Sequence, residues 1–224
     1  MQPLKTTLLP VYCIGGLGVD ERVFQHYHFP GDKIVLPYFT PQAGDDICSY
    51  ADKLAERITH DHFILLGISF GGILAQQIAL AKKPAALILI SSIQSYRQIP
   101  RVYRVAMKLG GSRGLRLAWK TDIPFTRNYF FTAREKTHRR TLQRIYEATD
   151  FDLVAWSLPL IMKWEGVDLP DDLPKLILHG CRDKFFPVGR RADIDECIEG
   201  AGHFMVVSHH KKVRTSLEEF LSTR

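Results

Sequence analysis

Apolar residues in the first half of the chain fall into short unbroken runs separated by stretches at helical spacing. Leu8–Ile14 (LLPVYCI), Phe63–Ile68 (FILLGI) and Ala86–Ile90 (ALILI) are continuous runs, as expected of strands covered on both faces. Between them, Asp45–His60 puts Ile47, Tyr50, Ala51, Leu54 and Ile58 on one helical face, and Phe70–Lys83 reads as a helix ending before Pro84. Lys33–Leu36 reads as a short strand closed by Pro37, and Asp20–Tyr27 as a short helix capped by Asp20. From Gln94 to about Pro170 only helical periodicity remains, over Ile99–Leu109, Glu135–Thr149 and Phe151–Trp164. Alternation resumes with a strand at Lys175–His179, a short strand near Ile194–Ile198 and a last helix around Val207–Ser222. This order predicts an α/β fold: a mostly parallel sheet of about six strands flanked by helices, from residues 1–93 and 171–224, carrying an all-helical insertion over 94–170.

Length and composition narrow the picture. The 224 residues suit one large α/β domain, and 46% apolar with 24% charged residues is an ordinary globular mixture. No apolar run approaches the roughly 20 residues of a membrane span. Met1–Ile14 has one Lys and runs into Gly15-Gly16, which is not the pattern of a signal peptide, so the expected location is the cytoplasm. Cys13, Cys48, Cys181 and Cys197 form no C-x-x-C pair, so reduced thiols are expected and no zinc site is indicated. The net charge of +6 is uneven: residues 94–170 hold 14 Lys/Arg against 7 Asp/Glu, and the rest of the chain holds 16 against 17. A basic helical segment could steer an anionic substrate or touch an anionic membrane. No nucleic-acid reading motif accompanies it.

Gly67-Ile68-Ser69-Phe70-Gly71, followed by Gly72, lies between a buried strand and a helix. It has the form G-x-S-x-G, a tight strand-to-helix turn that exposes a serine above the sheet. Small residues two before and two after let the backbone fold sharply, and the helix directs its positive end at the hydroxyl. A serine needs a base to become a nucleophile. Two loops supply the partners in the order Ser…Asp…His: Asp183, in His179-Gly180-Cys181-Arg182-Asp183 after one strand, and His203, in Gly200-Ala201-Gly202-His203-Phe204 before the last helix. Both loops leave the carboxyl edge of a parallel sheet, as Ser69 does, where open α/β sheets place their sites. His179 reads as a hydrogen-bonding or packing residue at a strand end, and the remaining histidines lack metal-ligand spacing.

With these three motifs in this order, the chain resembles the α/β-hydrolase superfamily over nearly its whole length. The resemblance implies a cap formed by residues 94–170 and a triad with Ser69 as nucleophile, His203 as base and Asp183 as acid. It also implies an oxyanion hole made by the backbone N–H of Phe70 and of Leu17, in Gly15-Gly16-Leu17-Gly18. Three departures stand out. Gly15 occupies the place where the family often has His. The chain begins at what resembles the family's third strand, without the N-terminal hairpin. Asp183 and His203 are 20 residues apart, with the intervening helix cut to a turn near Pro187–Ala192. A sheet edge left open in this way could pair, so monomer and homodimer are both compatible.

The glycine loop is a poor dinucleotide site, because Glu21 stands where a third glycine belongs; Gly110–Gly114 lacks the Gly-Lys-Ser/Thr of a phosphate loop and reads as a turn between cap helices. The cap aromatics, Trp156 among them, are expected mostly to pack, with some lining a pocket over Ser69 beside Phe24 and Phe204. The predicted activity is hydrolysis of an ester or thioester of a small-to-medium acyl group through a Ser69 acyl-enzyme, without cofactor or metal. The alternatives are a receptor of the same fold with little turnover, a C–C bond hydrolase and a cofactor-free haloperoxidase.

Overall fold

The computed structural model describes residues 8–19, 21–121, 124–190 and 193–222; the predicted cap Asp20 lies outside them. Six strands form one sheet: β1 (Val11–Ile14), β2 (Lys33–Val35), β3 (Ile64–Ile68), β4 (Ala86–Ile90), β5 (Lys175–Gly180) and β6 (Glu196–Ile198). Their order is β2-β1-β3-β4-β5-β6 and every pair is parallel. The chain therefore steps outward from β1 to β2, then returns past β1 to build the other half. The reversal lies between β1 and β3, and the loops after these two strands meet there.

Alternate residues along the central strands face opposite layers, and both faces are buried. Leu65, Leu87 and Ile177 face one layer, with α1 (Ile47–Ala55) and α2 (Phe70–Lys82). Ile64, Leu66, Ile68, Ile88 and Ile90 face the other, with Val23, Phe24 and Tyr27 and the last helix. That end of the chain is two helices, α7 (Met205–Ser208) and α8 (His210–Ser222), rather than the single one expected. The helix predicted over Asp45–His60 is shorter, because Asp46 starts it with a capping box: its side chain accepts from Ser49 N–H while the Ser49 hydroxyl accepts from Asp46 N–H.

Four helices lie between β4 and β5: α3 (Arg101–Lys120), α4 (Pro124–Phe130), α5 (Lys136–Ala148) and α6 (Phe151–Ile161). As the glycine run predicts, the helix is broken there: α3 is two helical stretches that meet at Gly111, whose φ of 52° leaves the helical region. Entry and exit of the segment touch: Tyr96 N–H donates to Trp164 O at 2.7 Å, and the Cβ position of Gly166 is filled by Gln94 O. Among the described residues no helix is long and apolar enough to cross a membrane.

One expectation is corrected here. Cys181 and Cys197 are joined as a disulfide, with Cα atoms 5.4 Å apart. Cys197 pairs with His179 across β5 and β6, so a cysteine two residues beyond His179 is brought within bridging reach. Cys13 is a buried free thiol and Cys48 an exposed one.

Candidate active site

Ser69 ends β3 and starts α2 with φ 52° and ψ −117°, a conformation that side chains with a Cβ avoid. The surroundings hold it there. Ser69 N–H donates to Ile90 O at 2.9 Å, and the Ser92 hydroxyl donates to Ser69 O at 2.8 Å. A Cβ at Gly67 would strike the backbone of Gly71 and Gly72, and a Cβ at Gly71 would strike the carbonyls of Ile14 and Gly15. Both glycines are thus required by close backbone approach, and the second presses α2 against the loop after β1.

The three sequence-predicted polar residues meet above this turn. Ser69 Oγ lies 2.9 Å from His203 Nε2, and His203 Nδ1 lies 2.8 Å from Asp183 Oδ2. Asp183 comes from the loop after β5, whose Arg182 N–H donates to Ala201 O in the loop that carries His203. The 20-residue separation therefore does not part them: a single 3₁₀ turn at Val188–Arg190 spans part of the interval where a helix was expected to be cut. The other oxygen, Asp183 Oδ1, accepts from the N–H groups of Phe185 and Phe186 at 2.8 and 2.9 Å.

Burial alone would push the Asp183 carboxyl up. The His203 charge and the hydrogen bonds from His179 and His203 outweigh it and hold the carboxyl below the usual carboxylate range. An ionised Asp183 accepts from Nδ1–H of His203 and so fixes the tautomer that leaves Nε2 free to accept from the Ser69 hydroxyl. This arrangement can draw a proton from Ser69 as its oxygen attacks a carbonyl.

Sequence reasoning missed several contacts. His179, expected to hydrogen-bond or pack at a strand end, has Nε2 2.7 Å from Phe186 O, but its place 3.2 Å from Asp183 Oδ2 was not foreseen. The rings of Phe185, Phe186 and Phe131 surround His203, with centroids 5.1, 5.2 and 5.9 Å away. Tyr38 donates its hydroxyl to Gly15 O at 2.5 Å and so holds the loop after β1. No sequence pattern pointed to Tyr38.

A cavity of about 280 Å³ opens over Ser69, near the lower end of ligand pockets, which run to roughly 300–1,000 Å³. Leu17, Phe70 and Phe204 line it with Ser69, as do Tyr103 and Leu158 from the helical insertion. Two expected pocket residues lie elsewhere. Phe24 is buried in the opposite layer and borders a separate cleft of about 480 Å³ beside Glu21 and Asp150. Trp156 packs its ring against Tyr50 and Phe70 and donates its indole N–H to Asp45 O at 3.1 Å. Its polar handle turns it toward α1 and away from the cavity. Among the described residues no cluster of His, Cys, Asp and Glu could hold a metal ion.

Comparison with known proteins agrees with this fold. Residues 18–215 match the sequence profile described as "Alpha/beta hydrolase family". A segment of the polyketide synthase ThaQ of Burkholderia thailandensis is 26% identical over 249 residues, covering 94% of this chain and 12% of that protein. The chain thus spans about an eighth of that relative's length. Among solved structures, a hydrolase from Oleispira antarctica superposes with TM-score 0.76 at 13% identity, covering 96% of this chain and 92% of that one. A bromoperoxidase from Bacillus anthracis gives 0.73 at 18% identity over 96% and 92%. A thermophilic esterase gives 0.68 at 19% identity over 95% and 89%. At these identities the superpositions speak for the fold. With the profile covering most of its length, the chain belongs to the alpha/beta hydrolase family.

Proposed function

We propose that the protein is a serine hydrolase acting on an ester or thioester of a small-to-medium, uncharged acyl group. The observation that carries this is the unbroken chain of hydrogen bonds Ser69–His203–Asp183 at the floor of an apolar cavity. In this reading Ser69 Oγ bonds to the acyl carbon as His203 takes its proton. Collapse of the tetrahedral intermediate breaks the C–O or C–S bond, and His203 gives that proton to the departing alcohol or thiol. Water then attacks the acyl-enzyme, loses a proton to His203, and releases the acid as Ser69 regains its hydrogen. Backbone N–H groups of Phe70 and Leu17 are the oxyanion donors proposed; both residues line the cavity beside Ser69. The helical segment 94–170 acts as the cap that shapes the acyl site. No step needs a cofactor. Polyketide assembly is acyl chemistry, so the likeness to a segment of a polyketide synthase supports keeping thioesters beside esters. A cytoplasmic site of action belongs to the same reading, although the Cys181–Cys197 bond weighs against the reduced thiols first expected there.

The test is fluorophosphonate labelling of the wild type and of Ser69→Ala, followed by intact mass and a screen of acyl esters and thioesters by chain length. One label per chain, lost in Ser69→Ala, with turnover of short and medium chains, is the expected result. A folded wild type that neither labels nor turns over sinks the proposal and favours a receptor of the same fold.

A further inference from the structure

A second space, about 600 Å³ and open to solvent, adjoins the acyl cavity on the side of Asp183. Tyr103 lines both, and its hydroxyl donates to Lys184 O at 2.9 Å. Three cationic side chains, Arg134, Arg182 and Lys184, border this cleft, and among the described residues none of them is in an ion pair. Glu135, next to Arg134, instead approaches His138. Burial and the nearby Arg134 charge depress the Lys184 ammonium; its Nζ donates to Tyr129 O and rests over the Tyr129 ring. Among the described residues the one carboxylate bordering the cleft is Asp183, whose oxygens accept from Phe185 and Phe186 N–H and face His203. Three cations against one carboxylate leave the cleft with an excess of positive charge that favours an anion.

We infer that this cleft receives a phosphate on the leaving arm of the substrate, so that the preferred substrate is an acyl ester or thioester whose alcohol or thiol portion ends in a phosphate. The inference rests on the hydrolase reading for the direction of the arm: the acyl chain occupies the apolar cavity, and the departing group leaves on the side of His203, whose partner Asp183 borders the cleft. Three cations suit a phosphate dianion better than a single carboxylate.

The test compares S-hexanoyl-pantetheine with its 4′-phosphate, which share acyl group and thioester and differ only at the far end. The expected ratio of kcat/KM is about tenfold in favour of the phosphate, the scale for two or three partly exposed charge contacts, and it should fall as salt rises. In Arg134→Gln/Arg182→Gln, both changes being at exposed side chains, the ratio should fall toward one. A wild-type ratio near one, or a ratio unchanged in the double variant, overturns the inference. If neither thioester is hydrolysed, the hydrolase reading fails separately, and calorimetric binding of 4′-phosphopantetheine to Ser69→Ala decides the cleft. Binding that the two Arg substitutions abolish supports it, and no binding overturns it.

Discussion

At the residue scale the site is held by backbone as much as by side chains. Ser69 keeps a positive φ because Gly67 and Gly71 let neighbouring segments close around it. This conformation costs on the order of 1–3 kcal/mol for a residue with a Cβ and little for glycine. Ser69→Gly should therefore unfold at higher denaturant than Ser69→Ala, by about 1 kcal/mol of stability, while both lose turnover; chemical denaturation and an ester assay read the two effects. Asp183 carries a pH signature. Its folded-state carboxyl sits below its unfolded value of about 3.9. Its contribution to stability is therefore complete above pH 4 and is lost as pH falls through the folded value. The stability gap between wild type and Asp183→Asn should shrink as pH falls below about 4, as followed by denaturation at several pH values. Ser69, Asp183 and His203 were legible in the sequence because each sits at a fixed offset from a strand end. The contact of His179 with Asp183 was not, since it depends on how the loop turns back at Phe185 and Phe186.

At the element scale the strands were the readable part. Runs such as ILLGI and ALILI are buried on both faces, which leaves no polar position to blur them. Short or interrupted helices were harder. Nothing in the sequence marked the seven-residue α4. The glycines in α3 were the exception: they mark the break between two helical stretches, which falls at Gly111. The pairing of Cys181 with Cys197 was invisible because it depends on β5 and β6 being neighbours, which the cysteine spacing does not encode. The start of α1 offers a direct check. Asp46→Ala removes one half of the capping box and should lower stability by about 1 kcal/mol. For a domain of this size that is a drop of roughly 2–4 °C in the melting temperature by calorimetry.

On the scale of the whole molecule, the sheet and the helical insertion between β4 and β5 differ in how firmly they are built. β3 and β4 are buried at every residue, whereas α5 buries Leu142 alone, and Val102, Val105 and Leu109 on α3 face solvent. Amides of α5 should exchange with deuterium well before those of β3 and β4, as mass spectrometry of proteolytic fragments would record. Slow, equal exchange in both regions would show that the insertion is held more firmly than its packing indicates. The two ends of this insertion lie together, with Tyr96 bonded to Trp164 and Gly166 pressed on Gln94. An insertion whose two ends touch behaves as a cassette. It can be lengthened, shortened or traded for another without rethreading the strands that hold Ser69, Asp183 and His203. The lining that this insertion adds to the cavity, Tyr103 and Leu158 among it, can therefore change while the strands and loops that carry Ser69, Asp183 and His203 stay as they are.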